Sequence, residues 1–228
     1  MGILADAAAI IFGSLLGGVT KFKLSHASMK IFGIGVALMS IVGFAENAFV
    51  VRDGELCSRG IYVVVFSLFI GYIIGDALKP ERWLSGISHG KSTASSGIID
   101  ATVFFGVGGL QISGPMMLAL TGDSSQLYLK ALIDLPFAVM YGAIYGKRTS
   151  LAALPVALVQ VAIALLAALV GDFIGEEMIS VVCSIGFIIL FFSGLNMLTE
   201  GENKVNNTKM ICSIPIAIIA ELVLSAIG

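Results

Sequence analysis

Residues 100–146 read DATVFFGVGGLQISGPMMLALTGDSSQLYLKALIDLPFAVMYGAIYG, and the number of membrane crossings depends on how this stretch is divided. It holds Gly106, Gly108 and Gly109, then Gln111, Ser113-Gly114-Pro115, Gly122-Asp123-Ser124-Ser125, Lys130, Asp134 and Pro136. Everything between is apolar enough to lie in lipid. A bilayer offers no water to an interrupted backbone or an ionised side chain, so such groups persist there only where protein or a polar cavity surrounds them. The stretch is therefore both the hinge of the topology and the first place to look for function.

The chain around it is 228 residues, 57% hydrophobic and only 12% charged, with mean hydropathy +1.01. A soluble domain carries about 25% charge, so this is a polytopic membrane protein with the lipid bilayer as its first partner. At roughly 17 to 25 apolar residues per crossing, the chain divides into eight spans: 3–19, 29–46, 61–78, 96–113, 127–146, 151–170, 178–198 and 209–227. The alternative is seven, with 96–146 folded as a re-entrant element and one crossing. The fold class expected is an all-α transmembrane bundle in a single integral membrane domain.

Charge orients the eight. Lys21, Lys23, Lys30, Lys79, Arg82, Lys91, Lys147, Arg148, Lys204 and Lys209 all fall on one side, ten of the thirteen basic residues, against Arg52, Arg59 and Lys130 on the other. Basic loops stay in the cytoplasm, which predicts that both termini face outside. Asp6 and Asp76 lie near span ends and read as boundary residues. The loop Lys79-Pro80-Glu81-Arg82-Trp83 reads as an interfacial turn, with Trp83 at headgroup level.

Several function classes drop out. A net charge of −2 without a basic run argues against nucleic acid. Cys57, Cys183 and Cys212 form no C-x-x-C, and His26 and His89 lie far apart in loops, so neither set suggests a disulfide, a metal centre or a cofactor. No nucleophile elbow, zinc-protease helix or phosphate loop occurs, so the chain does not read as an enzyme. The first apolar run lacks a basic leader and is kept as a span.

Two patterns bear on assembly. Gly13/Gly17, Gly71/Gly75 and Gly142/Gly146 are G-x-x-x-G pairs, which suit helix contacts within one protomer or, alternatively, a homodimer face. The chain also resembles itself at a spacing near 150 residues: Leu15-Leu16-Gly17-Gly18-Val19 through Val42-Gly43-Phe44 against Leu165-Leu166-Ala167-Ala168-Leu169 through Ser193-Gly194-Leu195. The triplets 1–78 and 151–228 then start on opposite sides, with 96–146 between them as a broken-helix hairpin. That is an inverted repeat, an arrangement found in secondary transporters.

The chemistry-bearing residues are the intramembrane carboxylates. Asp134 lies about 10 Å inside its span at ~1.5 Å per residue, with Glu221 at comparable depth and Asp100 less deep. Lys130 stands one turn from Asp134 and shares its face. It suits either a structural ion pair or a built-in cation that occupies Asp134 in one state. Gln111, Ser113 and carbonyls around Gly108, Gly109 and Gly114 could add oxygen ligands, which hard cations favour. A monovalent cation, Na+ or H+, would sit at Asp134 as the transported or coupling ion. Asp123 reads as a turn cap and, more sharply, as a mouth residue.

The run Thr121-Gly122-Asp123-Ser124-Ser125-Gln126-Leu127-Tyr128-Leu129-Lys130-Ala131-Leu132-Ile133-Asp134 resembles the signature of the bacterial "domain of unknown function 554" membrane proteins, also called YdfK/YqgA-like. That pattern is G-D, a polar pair, then L-Y-x-K-S-x-x-D-G. Asp100-Ala101-Thr102, Gly106 to Gly114 and the opening Ala8-Ile10-Ile11-Gly13-Leu16-Gly17 extend the likeness, while Ala131 and Leu135 stand where Ser and Gly are expected. The resemblance implies a sodium channel or pump. Residues and resemblance together predict an ion-translocating or ion-coupled secondary transporter of the bacterial inner membrane, carrying a small ion or molecule; a passive cation channel and a non-transporting scaffold or accessory subunit are the alternatives.

Overall fold

In lipid each backbone N–H and C=O must be satisfied within its own segment, so the apolar runs are helices. The computed structural model describes residues 1–20, 25–52, 55–58, 60–79, 98, 101–102, 104–106, 109–171, 175–199 and 205–227. The helices are α1 (Gly2–Thr20), α2 (His26–Ala48), α3 (Ile61–Leu78), α4 (Gly109–Thr121), α5 (Ser125–Tyr145), α6 (Ala153–Leu169), α7 (Glu176–Leu198), the single turn α8 (Asn207–Met210) and α9 (Ser213–Ile227). A 3-10 turn, Lys147–Ala152, leads into α6. Among the described residues seven helices are long and apolar enough to cross a membrane. The protein is an all-α polytopic bundle.

Three details depart from the sequence reading. The fourth span was expected to close at residue 113. Instead α4 continues to Thr121 through Pro115, and the connection to α5 is only residues 122–124. Proline is tolerated there because a membrane helix can satisfy the freed backbone groups with local partners, and Gly122, at φ 77°, makes the tight reversal. Secondly, the connection between α2 and α3, for which the sequence reading gave no element, is ordered. It forms an antiparallel β-hairpin, β1 (Phe49–Arg52) with β2 (Glu55–Ser58), in register from Phe49 opposite Ser58 to Arg52 opposite Glu55. Thirdly, Asp6 is fully buried rather than at a boundary. The Trp83 turn lies outside the described residues.

The chain forms two compact units, each drawing on both sequence triplets. The first comprises residues 1–28 and 81–169, and so holds α1, α4, α5 and α6. Here α1 and α5 run parallel: Gly2 stands beside Leu127, Gly13 beside Leu135 and Ala138, Gly17 beside Val139, and Gly18 beside Lys147. A Cβ at Gly13 would stand 2.6 Å from the Leu135 carbonyl oxygen, and one at Gly142 would meet the backbone of Ser14. Only glycine permits this approach. Residues 104–106 and α4 run antiparallel to α5, with Phe104 against Phe137 (4.7 Å between ring centroids), Phe105 against Tyr141 (5.7 Å) and Gly114 against Leu127.

The second unit comprises residues 29–80 and 170–228. Here α2 packs antiparallel to α7, with Gly33 against Gly194 and Met197 and Gly43 against Phe187. Similarly α3 runs antiparallel to α8 and α9, Gly71 meeting Ser213 and Gly75 meeting Lys209. Lys209 donates to Asp76 Oδ1 at 2.5 Å, and Ser180 donates its hydroxyl to the Asn47 carbonyl. The glycines 13, 17, 71, 75 and 142 thus all face neighbours in their own chain.

Candidate functional site

The buried face of α1 is Gly2, Asp6, Ile10, Gly13, Ser14 and Gly17, spaced three and four apart so that all point one way. Because the glycines draw α5 onto this face, the one carboxylate in the stripe is covered as well. Lys130 and Asp134, one turn apart on α5, meet it. The Lys130 ammonium donates to Asp6 Oδ2 at 2.8 Å and also to Asp134 Oδ2. Lys130 is 5% exposed, Asp134 7% and Asp6 0%, so this triad is withdrawn from solvent.

Two glutamines continue the network. Gln160 stands in the buried stripe of α6, with Ala153, Val156 and Ala167, and its Nε2 donates to Asp6 Oδ2 at 2.6 Å and to Gln111 Oε1 at 3.0 Å. Gln111, in the first turn of α4, donates its own Nε2 to the Val156 carbonyl at 3.1 Å. These bonds fix both amides. Val156 O can only accept, so Gln111 turns its nitrogen there and its oxygen to Gln160. Gln160 in turn faces two acceptors with its nitrogen, leaving Oε1 directed away from them.

Two fully buried oxygens of this network have no hydrogen-bond partner, Asp6 Oδ1 and Gln160 Oε1. They belong to the two side chains that the Asp6–Gln160 bond joins. Four helices, α1, α4, α5 and α6, therefore converge on a polar knot whose formal charge is −1 with both carboxylates ionised and Lys130 protonated. Burying an uncompensated charge costs several kcal/mol, so the arrangement suits a bound positive species.

Of the residues singled out in the sequence, Asp134, Lys130 and Gln111 come together here. Ser113 forms a separate buried bond between α4 and α5, donating to Gln126 Oε1 at 2.6 Å. Gly109 is buried at the start of α4, while Gly114 is a packing notch in which a Cβ would stand 3.0 Å from Leu127 Cδ2. Asp123 is an exposed cap that accepts from the Ser125 N–H and hydroxyl, both at 2.8 Å. Glu221 belongs to the second unit, its Oε1 3.0 Å from where a Cβ on Gly60 would stand. Asp100 and Gly108 lie outside the described residues. Among the described residues there is no group of three or more His, Cys, Asp or Glu side chains arranged to hold a metal ion. Asp6 and Gln160 are the members that sequence reasoning did not select.

Comparison with known proteins places this geometry in a family. Residues 1–222 match the family model described as "Protein of unknown function (DUF554)". The chain is 27% identical over 232 residues to the "Uncharacterized membrane protein YdfK" of Bacillus subtilis (strain 168), covering all of this chain and 98% of that protein. It is 24% identical over 210 residues to the "Uncharacterized protein YqgA" of Escherichia coli (strain K12), covering 86% of each. No solved structure matches the chain.

Proposed function

The chain belongs to the DUF554 family, and from that premise we propose that this membrane protein is an ion-translocating or ion-coupled secondary transporter of the bacterial inner membrane, binding a cation or proton at its buried carboxylates. One observation carries the reading: Asp6, Lys130, Asp134, Gln111 and Gln160 form a buried network with one formal negative charge in excess. Intramembrane ionisable groups are costly and mark ion pathways more often than other sites. Lys130 acts as a tethered cation that competes with the transported one for the carboxylates. The basic loops put both termini outside.

The packing lends support to an inverted repeat as the transport scaffold. The second and third helices of each triplet pair antiparallel, α2 with α7 and α3 with α9, as counterparts inserted with opposite topology would. The decisive experiment is flux into proteoliposomes. Asp134→Asn should abolish cation-driven or proton-driven flux while the protein stays monodisperse and folded; normal flux from that variant would reject the assignment.

A second reading rests on the fact that Lys130 already engages both carboxylates. A network satisfied in this way suits a scaffold or accessory subunit whose polar knot only fixes helix packing. On that reading no ion gradient drives flux in the wild-type protein, and Asp134→Asn changes stability alone.

A further inference from the structure

Asp6 Oδ1 and Gln160 Oε1 are the two fully buried acceptors that the network leaves without a partner. We propose that they are the protein ligands of one monovalent metal cation. This rests on the transport reading and moves the binding carboxylate from Asp134, where the sequence put it, to Asp6 on α1.

Three features lead there. Asp6 Oδ2 is already occupied, accepting from Lys130 and Gln160, so the free lone pairs of that carboxylate are on Oδ1. Gln160 Oε1 is left over because both partners of that side chain are acceptors and engage its amide nitrogen. An amide oxygen and a carboxylate oxygen are ordinary ligands for a hard cation. The third feature is charge. Asp134 and Asp6 share one ammonium, leaving one negative charge, which a single monovalent ion cancels and a divalent ion overshoots. A water donating to both oxygens would satisfy their hydrogen bonding but leave that charge in place. A proton would neutralise it on one oxygen without requiring the second. Gln160 is then the residue that sets ion selectivity, and Lys130 the one whose movement toward Asp134 frees Asp6 for the ion.

The test is the thermal unfolding midpoint of the purified full chain in detergent, titrated with NaCl or KCl against N-methylglucamine chloride at matched ionic strength. One of the two alkali ions should raise the midpoint saturably. Asp6→Asn should remove the effect, Gln160→Leu should raise the half-saturating concentration by about tenfold or more, and Asp134→Asn, which cancels the excess charge and leaves Lys130 to Asp6 alone, should weaken it. Unfolding in N-methylglucamine alone reports whether each variant is folded. If Asp6→Asn does not fold, Gln160→Leu decides alone: unchanged half-saturation overturns the proposal. Stabilisation lost in Asp134→Asn but kept in Asp6→Asn overturns it and leaves the transport reading intact. So does Asp134-dependent proton flux without any alkali-ion stabilisation, or stabilisation by MgCl2 or CaCl2 only. Absence of both stabilisation and flux ends both readings.

Discussion

Replacing Lys130 by Met removes the only positive charge in the described network and leaves the rest of the side chain's volume in place. The ammonium bonds one oxygen of Asp6 and one of Asp134, so those oxygens lie within ~5 Å of each other, a separation set by two hydrogen bonds to one nitrogen. At that distance two unit negative charges repel by about 3 kcal/mol at an effective dielectric near 20. Stranding a buried charge by deleting its partner typically costs about 3–5 kcal/mol, and the two figures agree. Lys130→Met should therefore lower unfolding free energy, measured by SDS titration in mixed micelles, by about 3–5 kcal/mol. Adding Asp134→Asn removes the repulsion and should restore about 3 kcal/mol of that loss. Both the size and the rescue are required. A single variant losing under about 1 kcal/mol, the range of an exposed pair, would show that Lys130 does not neutralise the carboxylates. A double variant no better than the single would show that Asp134 is not the group it holds.

Other consequences can be checked in the same preparation. Gly17→Ala would push its Cβ into the Val139 carbonyl on α5, backbone that cannot yield, and should cost about 1–3 kcal/mol. Gly35→Ala has nothing within 4 Å and should be neutral or stabilising by up to about 1 kcal/mol; equal losses for both would reject the close α1–α5 approach. In a cysteine-free background, Asp123→Cys in intact cells should react with a membrane-impermeant maleimide from outside, whereas Arg148→Cys should react only after permeabilisation. Both positions are exposed at opposite ends of α5, and labelling of both from one side would refute the eight-span orientation.

The helices were legible because a bilayer leaves an apolar run almost no other conformation. Lys130 and Asp134 were legible because their spacing and depth are properties of one helix. The β-hairpin left a signal that was not used, Asp53-Gly54 between two short apolar runs, a strong two-residue turn pattern. The fourth span was expected to close at 113, before Pro115, whereas a proline inside a membrane helix removes one bond and need not end the helix.

Asp6 is the instructive case. Four residues into α1, it was judged by its distance from the helix end, and on that measure it reaches headgroups. Whether it does depends on what lies beside it, and Ser124 and Leu127 stand close to Gly2 at the very start of that face. The covering helix starts level with α1, so nearness to the end gives Asp6 no access to water. A usable signal was present: Asp6 shares its three-and-four spacing with Gly13 and Gly17, and a carboxylate on a glycine stripe faces whatever helix the glycines admit. Gln160 follows the same logic as the one polar residue in Ala153–Leu169, since a helix otherwise suited to lipid turns its single amide toward protein. The network joins residues 6, 111, 130, 134, 156 and 160. A search for the site by individual depth therefore finds half of it, whereas asking which packed faces carry the unpaired polar groups finds the whole.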